Sequence, residues 1–295
     1  MRELSNLLLV YGLSNMLSMT EHLGGKLNHL QKELPEGLLV DARWLEARGY
    51  SSSLRSQYVD SGWLQQPARA VYRRPRGSLT WAHVVVSLQS LLDLPVSVGG
   101  RTALEEQGFA HYVPQSRQRV HLYSDDNLPG WLDKLPVTAR FVRHNRTRFL
   151  PRPGVTGSGV SLSDNGGERS TLPAGLRITR WGEWRWPLVM STAERGILEL
   201  LDELPSNETF DDADKIMEGL VNLSPRRLQP LLEQATSIKV KRLFFFFADR
   251  HRHTWLAHLD RDKITFGKGK RSLVKGGRLD PTYNITVPEE LDDVQ

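Results

Sequence analysis

Between Leu34 and Arg76 the chain meets Pro35, Gly37, Gly49, Gly62, Pro67 and Pro75. Breaks at that spacing leave room for helices of at most about three turns and for strands of only a few residues. Lys26 to Leu34 carries Leu27, Leu30 and Leu34 on one face and is stopped by Pro35 and Gly37, which predicts a short helix. Asp41 is placed to cap a helix running through Arg48, with Trp44 and Leu45 facing inward and Gly49 ending it. After the Gly49-Tyr50 turn, Ser51 to Ser53 supply capping hydroxyls for a second helix that ends near Ser61-Gly62, its inward stripe being Leu54, Tyr58 and Val59. Two short helices joined by a glycine turn form a helix-turn-helix. Trp63 to Gln66 and Ala70 to Arg73 then read as short strands separated by Pro67-Ala68-Arg69 and closed by Pro75. A hairpin directly after the second helix is a wing, so residues 19–78 are expected to form a winged helix-turn-helix.

Charge placement says what such a module would bind. The net charge of the chain is only +5, yet from Arg43 to Arg76 there are seven basic residues, all arginine, against Glu46 and Asp60. Arginine's planar fork matches phosphate oxygens and the guanine edge. In a winged helix the second helix enters the major groove of DNA while the wing touches the flanking backbone. Polar residues opposite the inward stripe, namely Ser52, Ser53, Arg55, Ser56 and Gln57, are therefore expected to face the bases. Arg55 suits guanine and Gln57 suits adenine, whereas serine is a weaker reader. Arg69, Arg73, Arg74 and Arg76 on the wing would bind phosphate or probe the minor groove, fixing register rather than sequence. The competing reading is a protein-interaction module with solvated arginines, and an arginine-only cluster on helix and wing favours DNA.

The chain of 295 residues, 39% apolar, is long enough for a second and larger domain. From Leu79 on, helical runs over Leu79 to Leu92 and Arg101 to Gln107 alternate with strand-like runs over Val96 to Val98, Val120 to Tyr123 and Thr138 to Val142. Pro151 to Pro173 is glycine-rich and poor in apolar residues, which predicts an insertion or linker. A hairpin around Gly182-Glu183 precedes four helices, Ser191 to Leu204, Phe210 to Leu223, Ser224 to Ala235 and Ile238 to Ala248. Ser191-Thr192-Ala193-Glu194 resembles a capping box, and Pro225 stands at the first position of its helix. The expected class is α+β: a winged helix-turn-helix followed by a larger mixed α/β domain over 79–295 with a helical C-terminal part. Residues 1–18 read as an N-terminal extension, either an accessory helix or an upstream start before Met19.

Several function classes recede. There is no cysteine, which removes disulfides, thiolate metal sites and thiol nucleophiles and fits a reducing cytoplasm. No apolar run approaches the roughly 20 residues of a membrane-spanning helix. The apolar N-terminus, with Arg2 balanced by Glu3, lacks a small-residue cleavage site of the secretory kind. A soluble cytoplasmic protein is expected, with no cofactor.

The run from Val40 to Pro75, VDARWLEARGYSSSLRSQYVDSGWLQQPARAVYRRP, resembles the N-terminal domain of the AbiEi antitoxins, which belong to type IV toxin-antitoxin (abortive infection) systems. Gly62-Trp63-Leu64 and Val71-Tyr72 match strands of that domain, while Ala70 stands where the family often has glycine. Gly99-Gly100-Arg101-Thr102-Ala103-Leu104 followed by Gly108 is similar to the family's Gly-x-x-Ala-Leu helix entry, and Ser191 to Glu199 to its Glu-Arg-Ala helix. The resemblance runs from about Leu27 onward. It implies a repressor of its own operon that binds inverted repeats in promoter DNA and takes part in phage defence. It also implies an antitoxin that counters a nucleotidyltransferase-like AbiEii toxin, with neutralisation that need not involve a stable complex.

Other groupings carry weaker signals. His251 and His253 in Asp249-Arg250-His251-Arg252-His253 invite a metal reading, but i, i+2 spacing on a helix points them apart and the arginines repel a cation. Phe244 to Phe247, if helical, cannot all face one core, so either one of them meets a neighbour or the helix is buried all round. Lys263 to Arg278 holds six basic residues, four glycines and no acid, and GKGKRS fails the phosphate-loop pattern. Lys268, Lys270, Arg271 and Lys275 there either contact a toxin, RNA or DNA, or are a solvated loop. Ser191, Glu194 and Glu199 lack a nucleophile elbow or paired base, so no catalytic set is expected; capping explains the first two, or Glu194 and Arg195 form buried ion pairs. The leading expectation is a DNA-binding repressor and antitoxin without catalysis. The alternatives are a ligand-sensing winged-helix regulator unrelated to a toxin and a DNA-processing enzyme with a winged-helix targeting domain.

Overall fold

The computed structural model describes residues 25–109, 119–145, 158–163 and 172–291. The extension expected over 1–18 and most of the glycine-rich stretch 151–173 lie outside the described residues. The chain divides after Leu79 into two compact units, each an α+β mixture.

In the first unit α1 (25–33) is followed by β1 (Leu39–Asp41), α2 (Ala42–Ala47), α3 (Ser52–Asp60), β2 (Gln65–Ala68) and β3 (Val71–Arg73). The three strands form an antiparallel sheet in the order β1-β3-β2, with Leu39 opposite Arg73 and Asp41 opposite Val71. Both expected caps are present: Asp41 accepts the Trp44 amide at 2.9 Å and Ser51 accepts the Leu54 amide at 3.3 Å. Leu30, Leu34, Leu38, Leu45, Tyr50, Leu64 and Val71 form the buried interior. This is a winged helix-turn-helix with one departure from expectation. Pro67 lies inside β2 rather than in the turn, because β2 is the sheet's edge and a missing N–H there removes no ladder bond. The turn falls instead at Arg69-Ala70, where Ala70 takes a φ of 61°, the left-handed conformation that explains glycine at this place.

The second unit is built on a five-stranded sheet in the order β6-β5-β4-β8-β7. Its strands are β4 (Val96–Val98), β5 (Arg119–Ser124), β6 (Arg140–His144), β7 (Leu176–Trp181) and β8 (Trp186–Ser191), and its first helices are α4 (Trp81–Ser90) and α5 (Gly100–Glu106). The β5–β6 and β4–β8 pairs are parallel and the other two antiparallel. Strands β4 and β8 pair only at Val98 and Met190, and the buried Gln89 amide of α4 completes the join by donating to Val96 O and Val189 O and accepting from Val189 N. Four helices follow: α6 (Ala193–Asp202), α7 (Phe210–Gly219), α8 (Pro225–Gln234) and α9 (Ile238–His251), then the hairpin β9 (Arg278–Asp280) and β10 (Ile285–Val287). Phe244, Phe245, Phe246 and Phe247 are all buried. Helix α9 is covered on every side, with Phe244 against Trp255, Phe245 against Phe266 and Phe247 against Phe210.

Helix α6 begins two residues later than expected, and the capping-box reading is corrected. Ser191 is the last residue of β8, Thr192 is the N-cap and its side chain accepts no capping bond. Glu194 reaches across to α8, accepting the Ser224 amide at 2.9 Å and pairing with Arg227 at 3.1 Å. Among the described residues no helix is long and apolar enough to cross a membrane.

Candidate nucleic-acid interface

In the first unit the pose of α3 is set from below. Tyr50, in the turn, is buried and donates its hydroxyl to Lys26 O at 3.1 Å, while Lys26 Nζ donates to Gly49 O at 3.1 Å. Burial pushes the Tyr50 phenol up to about 12, so it keeps that proton as a donor at neutral pH. Leu54 and Tyr58 point into the core, and Ser52, Ser53, Ser56 and Gln57 are exposed on the opposite side of α3, as the helical period requires.

Arg55 departs from the expectation that it faces outward. Its side chain is buried, donating Nη1 to Tyr50 O at 2.8 Å and Nη2 to Glu46 Oε1 at 2.8 Å, with its guanidinium 5.7 Å from the Tyr72 ring. Arg73 departs likewise: it is buried and donates Nη2 to the carbonyls of Arg76 and Gly77 at 2.6 and 2.9 Å. Arg74 gives Nη1 to Gln31 O and Leu34 O at 3.0 and 3.1 Å, satisfying carbonyls at the end of α1, and Nη2 to Glu36 at 3.1 Å. The physical reason is common to all three. A unit this small has few interior donors, and arginine with its five N–H groups can satisfy several buried carbonyls at once.

Of the seven arginines, then, three do internal work. Two more are paired at the surface: Arg76 with Glu36 at 3.2 Å, and Arg48, which lies 3.7 Å over the Trp44 ring, with Glu33 at 3.2 Å. Arg43 on α2 and Arg69 at the wing turn are exposed and form no ion pair among the described residues. The outward face thus holds Ser52, Ser53, Ser56, Gln57 and Arg69 from the expected set. It also holds two residues the sequence reasoning passed over: Arg43, and Trp63, which is 46% exposed between α3 and β2. The glycine before Trp63, with φ 77°, turns the chain out of the helix and could have signalled an aromatic presented at a turn.

In the second unit Lys268, Lys270, Arg271 and Lys275 are all exposed. The Ser191 to Glu199 group is a buried hub. Glu199 accepts from Ser191 Oγ at 2.7 Å, Arg195 Nε at 2.7 Å and Gly100 N at 2.9 Å. His251 bonds Asp214 at 2.7 Å and His253 bonds Met217 O at 2.7 Å, so each histidine has its own partner rather than a shared ligand position. A second pair lies deeper: His121 Nδ1 and His144 Nε2 are 3.0 Å apart with rings stacked, and His144 Nδ1 meets Glu203 at 2.8 Å.

Two family models match the chain. One describes the transcriptional regulator, AbiEi antitoxin N-terminal domain, over residues 23–115, and the other the transcriptional regulator, AbiEi antitoxin of type IV toxin-antitoxin systems, over residues 117–288. No curated protein matches. Among solved structures, the chain is similar to the crystal structure of the RV2827C protein from Mycobacterium tuberculosis, with 17% identity, a TM-score of 0.50 and 88% of each chain covered, a likeness of fold.

Proposed function

The chain belongs to the AbiEi antitoxin family of transcriptional regulators of type IV toxin-antitoxin systems, and from that premise we propose that it represses its own operon by binding inverted repeats in duplex DNA. Helix α3 enters the major groove and the wing follows the backbone. The observation that carries this reading is the outward row Ser52, Ser53, Ser56 and Gln57, polar, exposed and pinned at one end by the Ser51 cap, with Arg69 at the wing turn. Gln57 has the paired donor and acceptor that adenine's major-groove edge requires. Arg69 supplies a phosphate contact, and Arg76 joins it by exchanging Glu36 for phosphate. The buried Arg55, Arg73 and Arg74 act on DNA only by holding α3 and the wing in place.

The second half of the proposal is that the chain counters a nucleotidyltransferase-like toxin encoded beside it, in the cytoplasm and without catalysis of its own. The saturated hydrogen bonding of the Glu199 hub supports a structural role for the carboxylates and serine of that region.

A fluorescence anisotropy titration with duplex from the chain's own promoter tests the first half. The protein is expected to bind that duplex in preference to a scrambled one, and a Gln57→Ala, Arg69→Ala double variant to lose the preference. Equal affinity of the unaltered protein for both duplexes would sink the reading. Co-expression with the neighbouring nucleotidyltransferase tests the second half, growth rescue being the expected result.

A further inference from the structure

The segment between Lys263 and Arg278 carries a charge that the function proposed above does not use. No carboxylate occurs in sequence between Asp262 and Asp280, and Lys268, Lys270, Arg271 and Lys275 are exposed and form no ion pair among the described residues. The usual fate of a lysine-rich loop is to wave in solvent. Here the backbone that bears the cations is fastened from beneath.

The fastening is Arg242, on α9. It is buried, and it has no carboxylate partner. Its guanidinium donates Nε to Phe266 O at 2.8 Å, Nη1 to Gly269 O at 2.7 Å and Asn284 O at 3.2 Å, and Nη2 to Gly267 O at 3.2 Å. Both sides of the loop's base are thereby gathered onto one planar fork. Burial and the nearby charge of Arg271 both work against the Arg242 cation, and the four carbonyl dipoles offset them. Further along, Arg271 N donates to Asn284 O at 2.9 Å, and Thr286 Oγ1 accepts the amides of Leu273 and Val274 at 2.7 and 3.1 Å. Gly277 lets the strands close: a Cβ there would stand 2.4 Å from Val287 O. The result is a fixed ribbon with its cations outward and its apolar side chains, Leu273 and Val274, packed against the core.

We propose that this ribbon is a second binding surface for the sugar-phosphate backbone of duplex DNA, separate from the base-reading helix of the first unit. Three features select that partner. The cations are mostly lysine, compact charges suited to single phosphate oxygens rather than to planar base edges. The residues between them are glycine and serine, so no aromatic is offered for stacking an unpaired base and no apolar anchor for a protein, whose interfaces are poor in lysine. The ordered backbone lowers the entropy lost on binding, which a mobile tail would incur in full. The inference rests on the reading of the chain as a duplex-binding regulator and adds a sequence-independent contact to it.

The test uses the full chain with a promoter duplex and measures affinity across a salt series. Replacing Lys268, Lys270, Arg271 and Lys275 together with alanine is expected to flatten the dependence of log affinity on log salt by about 2 to 4 units, each phosphate contact accounting for about 0.9. Preference for the promoter over a scrambled duplex should be retained. Arg242→Met, which leaves all four cations in place but frees the ribbon, is expected to weaken binding while changing that slope less. Should Arg242→Met not fold, the alanine variant decides alone. An unchanged slope in the alanine variant, with promoter preference still abolished by Gln57→Ala and Arg69→Ala, overturns this inference and leaves the first reading standing. A flattened slope with no effect of the first-unit changes does the reverse, and a chain that binds no duplex at low salt overturns both.

Discussion

Arg55 and Glu46 are joined by a 2.8 Å ion pair that ties α3 back to α2, the arginine buried and the carboxylate more than half exposed. The same guanidinium satisfies Tyr50 O in the turn between the two helices. Removing it strands that carbonyl and opens a gap beside Tyr72. Arg55→Ala is therefore expected to lower the stability of the first unit by about 2 kcal/mol, less than for a fully buried pair because Glu46 can rehydrate. The check is a thermal melt followed by far-UV circular dichroism. A melt unchanged within half a degree, with DNA binding abolished, would mean that Arg55 reads bases after all.

Gln57 and Arg69 should fail in distinguishable ways. Gln57→Ala removes a paired base contact and is expected to cost about 1 to 3 kcal/mol on the preferred duplex and little on a scrambled one. Arg69→Ala removes a phosphate contact, so it should weaken both duplexes alike and reduce the salt slope by about 0.9. Neither residue is buried, and both variants should melt like the unaltered protein. A Gln57→Ala protein that loses equal affinity for every duplex would contradict base reading by α3.

The first unit was largely legible because its signals are local. Asp41 and Ser51 cap the helices they precede, and glycine and proline mark the breaks. Where the wing turns was less legible, since Pro67 can stand in an edge strand and nothing local says that β2 is the edge. The arginines misled for a different reason. A run of charges in sequence says nothing of which guanidiniums find carbonyls, and Arg73 and Arg74 find theirs on segments brought close only by the fold. In the second unit the partners are far apart in sequence: Glu199 holds Gly100, and Glu194 holds Ser224. Such pairs have no local signature.

Two glycines separate steric from backbone effects. At Gly99, whose φ is an ordinary −146°, a Cβ would lie 2.2 Å from Glu199 Oε2 and 2.5 Å from Tyr123 Cδ2. Both atoms belong to buried side chains, and the carboxylate is the hub of the Ser191, Arg195 and Gly100 bonds. Gly99→Ala is expected to cost about 3 kcal/mol or more in urea denaturation. Gly62, with φ 77° and open space around it, should cost only about 1 kcal/mol when changed to alanine. The reverse order would show that the Glu199 hub yields easily.

Acid should weaken the second unit through His121. Burial, with the stacked His144 next in importance, lowers its pKa from 6.5 to about 4. The folded state therefore holds it neutral where the unfolded chain binds a proton, and stability is full above pH 6.5 and is lost as pH falls toward 4. The full shift corresponds to about 3 kcal/mol. Glu203, facing His144, acts in the same direction: its carboxylate is kept ionised, with burial opposing and the His144 bond favouring the charge. Glu105 acts in the opposite sense, because burial raises its pKa to about 7 and folding takes up a proton there as pH falls. The two effects overlap between pH 7 and 4.5, so the unaltered protein should show a shallow acid dependence. Glu105→Gln should steepen it, the midpoint of urea unfolding falling more sharply from pH 7 to 5, and adding His121→Gln should flatten it again. A Glu105→Gln protein whose midpoint is level across that range would show that His121 is protonated in the fold.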